Sequence, residues 1–143
     1  MDGGGIYTYF GATRSTRTNQ KVYNNIVLNG IGSNDGTANA GIPIVHGIYL
    51  YLDGASANIE LYNNTCSNNP RGGLFINGGD SAINAHDNTL YNNNGQQLLV
   101  VSSLSALPLR NISLKNNIAV SRTATQMVAN WEAHNRTTMR MEI

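Results

Sequence analysis

Short apolar runs alternate with polar positions and end in asparagine, and this arrangement recurs along most of the chain. In IELYNNTCSNN, which begins at Ile59, the apolar residues Ile59 and Leu61 alternate with Glu60 and Tyr62 before a pair of asparagines. A period of two is typical of a β-strand with one face in a core, and asparagine tolerates the left-handed backbone of a bend. The pattern therefore predicts short strands separated by asparagine bends.

Four such segments align on the second asparagine of each pair: VYNNIVLN, LYNNTCSN, AHDNTLYN and LKNNIAVS. The aligned residues are Asn25, Asn64, Asn88 and Asn117, at intervals of 39, 24 and 29 residues. A second strand recurs between them in GIYTYF, GIYLYL and GLFING. Because units this short bury apolar surface only by stacking, we predict an all-β parallel β-helix, a solenoid. Its aligned asparagines are predicted to form a hydrogen-bonded ladder between coils about 4.8 Å apart.

Three stretches resemble the right-handed parallel β-helix family with pectate-lyase-like coils, as in polysaccharide lyases, glycoside hydrolases and uronan epimerases. They are HGIYLYLDGASANIELYNNTCSNN, GGLFINGGDSAINAHDNTLYNNN and RNISLKNNIAV. The resemblance implies a right-handed parallel β-helix of about four to five coils, in a short or partial member of the family. A β-sandwich is the alternative that strand spacing alone leaves open.

The repeat stops after Ser121, where the composition changes. We therefore predict coils over residues 1–121 and a non-repeat C-terminal cap or contact tail over residues 122–143. Within this tail, Met127, Val128 and Trp131 have helical spacing.

Composition excludes several classes of partner. The chain has 143 residues, 12% of them charged, with a formal net charge of +1, so we expect no nucleic-acid binding. No apolar run approaches the roughly 20 residues of a membrane span, so no membrane association is expected. No signal peptide is readable in this chain, although the resemblance implies a secreted or periplasmic location.

Outward positions of neighbouring coils are predicted to stack in columns. Two columns lie beside the asparagine bend. The first contains Lys21, Glu60, Asn84 and Ser113, and the second contains Tyr23, Tyr62, His86 and Lys115. On the other strand we predict an aromatic column of Tyr7, Tyr49 and Phe75, with Tyr51 in the column beside it. These four aromatic residues are candidates for substrate binding, because an aromatic strip suits the apolar face of a sugar; it equally suits packing against a loop or partner.

Catalytic candidates are few and each has a structural interpretation. Hydrolysis of a glycosidic bond needs two carboxylates close together, which makes Asp53 and Asp80 candidates, although Asp beside Gly is also ordinary turn composition. A lyase needs a base and a neutralised carboxylate, for which the candidates are Arg71, Lys115 and His86. The resemblance implies Ca²⁺ as a cofactor, but the sequence has no Asp-rich cluster, so we predict no metal site. The lyase and hydrolase motifs of the family are absent, and no catalytic residue is carried over from it.

Three functions follow from these observations. The first is a fragment of a polysaccharide lyase or hydrolase that acts on an acidic glycan. The second is a non-catalytic sugar-binding or protein-interaction module, and the third is a structural remnant with no activity of its own. A polysaccharide is the expected ligand, and a homo-oligomer that pairs through end faces or the tail is expected because the ends of a short β-helix are a large part of its surface.

Overall fold

The computed structural model describes residues 4–11, 13–31, 48–104, 106–132 and 139–142, and this part of the chain forms fourteen β-strands and no helix. The strands belong to three sheets in which every pairing is parallel. Strands that neighbour one another within a sheet are three elements apart in the sequence, so each turn of the chain adds one strand to each sheet. This is the predicted parallel β-helix.

The first sheet contains β1 (Ile6–Tyr9), β4 (Ile48–Asp53), β7 (Gly72–Asn77), β10 (Gln96–Val101) and β13 (Met127–Glu132), in that order. The second sheet contains β2 (Gln20–Tyr23), β5 (Ala57–Tyr62), β8 (Ser81–His86), β11 (Arg110–Lys115) and β14 (Met139–Glu142), in that order. The third sheet contains β3 (Ile26–Leu28), β6 (Thr65–Ser67), β9 (Thr89–Tyr91) and β12 (Ile118–Val120), in that order.

The core lies inside the coils and is built from stacked aliphatic side chains. Leu50, Leu74 and Leu98 are register partners along the first sheet, and the second sheet adds Ile59 and Ile83. The third sheet adds the middle residue of its three-residue strands, among them Cys66, which is fully buried. Burial raises the pKa of its thiol to about 12, so Cys66 is an inert core residue.

The predicted asparagine ladder is confirmed. The Nδ2 of Asn25, Asn64 and Asn88 each donates to the Oδ1 of the next ladder residue, over 2.9 Å in all three cases. The last acceptor is Asn117. The same Oδ1 atoms accept from the backbone N–H groups of the preceding coil, so each buried amide satisfies bend groups that water does not reach.

The residue before each ladder position has a different role. Asn24, Asn63 and Asn116 have φ values of 55°, 53° and 51°, and Asp87 takes the same position with φ of 54°. The first residue of the pair thus makes the left-handed turn, and the second makes the ladder. The pair at Asn68 belongs to a second set of bends, after the third sheet, where the backbone N–H of Asn69 donates to Asn93 Oδ1 over 3.1 Å.

The tail contains two further strands. Met127, Val128 and Trp131 lie in β13, which pairs with β10 in parallel, so their helical spacing was misleading. Further on, β14 pairs with β11. The strands therefore continue beyond residue 121 in the same two sheets, while residues 133–138 lie outside the described part of the chain.

Candidate functional site

Three rings stack on the outer face of the second sheet, and we call Tyr23, Tyr62 and His86 the ring column. The strand register confirms the predicted order of this column and places Lys115 next to His86. The ring centroids are 5.0 Å apart between Tyr23 and Tyr62, and 5.3 Å apart between Tyr62 and His86. In both pairs the ring planes are parallel to within 2°.

The spacing determines which part of each ring faces outward. Parallel strands lie about 4.8 Å apart, which is too close for two phenyl rings to lie side by side on the sheet. The rings therefore overlap in an offset stack along the axis of the β-helix, and their edges point away from the sheet. Tyr23 lies on the edge strand β2 and is 48% exposed, so the ring column has its most accessible ring there.

A charged cluster lies beside the ring column. Lys21 Nζ is 3.0 Å from Glu60 Oε2, its neighbour in the predicted column, and Glu60 Oε1 is 3.3 Å from His86 Nε2. The other ring nitrogen of His86, Nδ1, is 2.7 Å from Asp87 Oδ2. We call Lys21, Glu60, His86 and Asp87 the charged cluster.

The cluster shifts the titration of its own members. The hydrogen bond with Asp87 raises the pKa of His86; burial opposes this shift, and a weaker hydrogen bond with Glu60 adds to it. The hydrogen bond from Lys21 lowers the pKa of Glu60. The first shift favours the protonated form of His86, and the second favours the ionised form of Glu60.

This cluster was only partly predictable. The proximity of Lys21 and Glu60 followed from the predicted stacking of outward positions in neighbouring coils, but the two contacts of His86 did not. The available signal was the replacement of the first bend asparagine by Asp87 in AHDN. A carboxylate at that position lies directly after His86 and reaches its Nδ1.

The outer face of the first sheet differs from its prediction. The register pairs Tyr7 with Tyr51, and Tyr51 with Phe75, whereas the sequence alignment placed Tyr49 in this column. Tyr51 and Phe75 stack with centroids 4.7 Å apart and are only 5% and 7% exposed. These two rings are packed with Leu99 in a second apolar cluster, so neither offers a face to a sugar.

Two of the four aromatic candidates remain to be placed. Tyr7 is 41% exposed, and its hydroxyl donates to Asp53 Oδ2 over 2.9 Å. The side chain of Tyr49 lies outside the described part of the chain.

The two carboxylates proposed for hydrolysis occupy different positions. Asp53 accepts from Tyr7 and also from Asn77 Nδ2, which donates to its Oδ1 over 2.8 Å. Asp80 is fully buried, and neither of its carboxyl oxygens has a hydrogen-bond partner among the described residues. Burial, with a smaller effect of nearby Asp53, raises the pKa of Asp80 to about 8; backbone N–H groups oppose the shift but lie outside hydrogen-bond geometry. A substrate does not reach Asp80 in this conformation.

The three basic candidates are not assembled into one site. His86 and Lys115 are neighbours on the second sheet, whereas Arg71 lies at the bend before β7, in the first sheet. The backbone carbonyl of Arg71 accepts from the N–H groups of Gly95 and Gln96. Arg71 thus lies at a coil bend, away from the sheet that carries His86 and Lys115.

The outer face of the third sheet was not singled out from the sequence. Five apolar side chains there are at least 39% exposed: Ile26, Leu28, Tyr91, Ile118 and Val120. Three-residue strands give too short an alternation to be recognised without the register.

The described residues form neither a metal-binding cluster nor a membrane-spanning helix. They contain no cluster of three or more His, Cys, Asp or Glu side chains arranged around a metal position. They also contain no helix long and apolar enough to cross a membrane.

Comparison with known proteins gives no assignment. No family model, no curated protein and no solved structure matches this chain.

Proposed function

We propose that this protein is a non-catalytic carbohydrate-binding β-helix that holds a glycan along the outer face of its second sheet. The observation that supports the proposal most strongly is the ring column, which repeats at the coil spacing on a face that is partly exposed. Tyrosine presents an apolar ring body together with a polar hydroxyl, and both are suited to a sugar.

The geometry favours a ligand that is itself linear. The edges of Tyr23 and Tyr62 repeat about every 5 Å along the axis, and Glu60 and Asn84 form a parallel polar column beside them. A polysaccharide chain along this axis meets at least one hydrogen-bonding group at each coil. The exposed outer ring of Tyr23 provides a stacking surface at one end.

The face balances its charges, which favours a neutral or weakly charged glycan. When His86 is protonated, the two positive side chains of the charged cluster, Lys21 and His86, are opposed by Glu60 and Asp87. A strongly acidic polysaccharide would need an excess of cations to be attracted.

Catalysis on an acidic glycan, which the family resemblance implies, receives less support from this arrangement. Asp80 is inaccessible, Asp53 is bonded to Tyr7 and Asn77, and both nitrogens of His86 face carboxylates. General acid and base groups must reach the substrate atoms that they protonate or deprotonate.

Retention on immobilised polysaccharides tests the proposal. We expect Tyr23→Ala and Tyr62→Ala to reduce retention at least tenfold, because each removes a ring from the column. Tyr91→Ala is the matched control, since Tyr91 is an exposed tyrosine on the third sheet; it should retain the glycan like the wild type. Equal retention by all three variants would contradict the proposal.

The same samples test for activity. Incubation with a panel of uronate polysaccharides should release neither unsaturated products nor new reducing ends. Release of either by the wild type would replace binding with catalysis as the function. Pairing of copies through end faces or the tail stays a prediction, and light scattering at micromolar concentration checks it.

A further inference from the structure

The contact between Glu60 and His86 is longer than a typical charge-assisted hydrogen bond. His86 Nε2 lies 3.3 Å from Glu60 Oε1, longer than the 2.7 Å between His86 Nδ1 and Asp87 Oδ2. Charge-assisted N–H···O bonds are usually about 2.7–2.9 Å long. The shorter contact fixes the ring, and the longer one brings together an imidazole nitrogen and a carboxylate oxygen, both of which are atom types that bind metals.

This separation matches two ligands of a tetrahedral metal. Zinc binds imidazole nitrogen and carboxylate oxygen at about 2.0–2.2 Å, so two ligands at the tetrahedral angle lie about 3.3–3.5 Å apart. The Nε2 and Oε1 atoms are at this distance without rearrangement.

Asp87 supplies the supporting contact that metal-bound histidines need. When Nδ1–H donates to the Asp87 carboxylate, the lone pair of the neutral ring lies on Nε2, toward Glu60. Side chains of His86 and Glu60 are 24% and 34% exposed, so water has access to the remaining coordination positions. Asn84 is the register partner of Glu60, two residues before His86 on the same face, and places an amide nearby.

We propose that Glu60 and His86 form a surface binding site for a divalent transition metal such as Zn²⁺, with Asp87 orienting the imidazole. Imidazole ligation favours zinc, copper or nickel over calcium. Two ligands come from the described part of the chain, so water completes the coordination and the site is weaker than a structural zinc centre. The inference does not depend on glycan binding.

Lys21 gives the proposal its sharpest consequence. Its ammonium group is 3.0 Å from Glu60 Oε2, and it therefore opposes a metal cation at the same carboxylate. Removing this charge strengthens metal binding, whereas it weakens an ordinary ion-pair cluster.

Isothermal titration with ZnCl₂ alone, at pH 8, tests the site. We expect the wild type to bind one more Zn²⁺ than His86→Phe, which keeps an aromatic ring in the column but has no ligand nitrogen. Asp87→Asn should weaken this site at least tenfold, because supporting carboxylates typically contribute 10- to 100-fold in metal affinity. The substitution suits the bend, where the other coils have asparagine. Lys21→Met should tighten binding severalfold.

Two controls make the result decisive. Tyr62→Phe keeps both ligands and should bind like the wild type, and circular dichroism should show that every variant is folded. The proposal is overturned if His86→Phe binds as many Zn²⁺ ions as the wild type, or if Lys21→Met weakens binding.

Discussion

The outer faces of the first and second sheets arise from the same alternating pattern but lie in opposite environments. On the first sheet, Tyr51, Phe75 and Leu99 are at most 8% exposed and form an apolar cluster of their own. On the second sheet, the ring column is accessible and is surrounded by charged side chains. A period of two thus separates the inside of a coil from its outside, but it does not show whether the outside is covered.

The pKa values of carboxyl groups near the two faces are shifted in opposite directions. Burial raises the pKa of Asp80, beyond the end of β7, whereas hydrogen bonds lower the pKa of Glu60 on β5. The surroundings of Glu60 thus favour its ionised form, whereas those of Asp80 disfavour it.

The largest expected effect is on the pH dependence of stability. Asp80 has an ordinary pKa of 3.8 and a folded pKa of about 8, so the unfolded chain releases this proton first. Between these two pH values, rising pH destabilises the fold, by at most about 5 kcal/mol at pH 8. We predict that Asp80→Asn raises the free energy of unfolding at pH 8 and changes it little at pH 4, as measured by urea denaturation. The prediction is contradicted if the wild type gains stability relative to Asp80→Asn as the pH rises from 4 to 8.

The second prediction compares one ring from each face. Phe75→Ala should destabilise the protein by about 3–5 kcal/mol, because it empties a packed site. Tyr62→Ala should cost roughly 1 kcal/mol or less, since the ring is partly exposed and contributes mainly stacking. Equal losses in denaturant unfolding would mean that the second-sheet face is also covered.

A smaller effect is predicted at the start of the second-sheet strands. Ala82 has φ of 51°, at the position where Asn19, Asn58 and Asn111 have 57°, 58° and 53°. An alanine in left-handed conformation costs about 1–2 kcal/mol, and asparagine relieves part of this strain. Ala82→Asn should therefore stabilise the protein by about 0.5–1 kcal/mol in thermal or urea unfolding, with Ser81→Asn as a neighbouring control that gives no gain.

The smallest effect is expected at Glu60, because its ion pairs are exposed. Its folded pKa lies below the ordinary value of 4.5, so its stabilising contribution is present above that pH and is lost as the pH falls further. Glu60→Gln should slightly destabilise the protein at pH 7 and have no effect near pH 3. The contribution of Glu60 to stability thus grows with rising pH, whereas that of Asp80 falls. If both contributions changed with pH in the same sense, the contrast between the two faces would be lost.

The sequence predicted the second sheet more accurately than the first for a physical reason. Asn25, Asn64, Asn88 and Asn117 are locked by a buried ladder, so their alignment is also the strand register. The first-sheet strands were aligned on preceding glycines, which placed β4 two residues out of register. A slip of two residues keeps every side chain on its own face, so the hydrophobic pattern cannot reveal it.

Other features of the site depend on contacts that a repeat pattern does not contain. The burial of Asp80 follows from packing at a coil bend, where Asp beside Gly resembles an ordinary turn. The contacts of His86 require the position of Asp87 as well as the register with Glu60. The strand nature of Met127–Glu132 required a partner strand, β10, to override its helical spacing.

The most direct test of the central claim is a titration of the protein with a soluble oligosaccharide, taken from a polysaccharide that retains it and followed by NMR. If the glycan lies on the second sheet, saturable shift changes should concentrate at Tyr23, Tyr62 and His86 and spare Tyr51 and Phe75. Changes centred on the first sheet, or the absence of any saturable change with every retained glycan, would contradict the account.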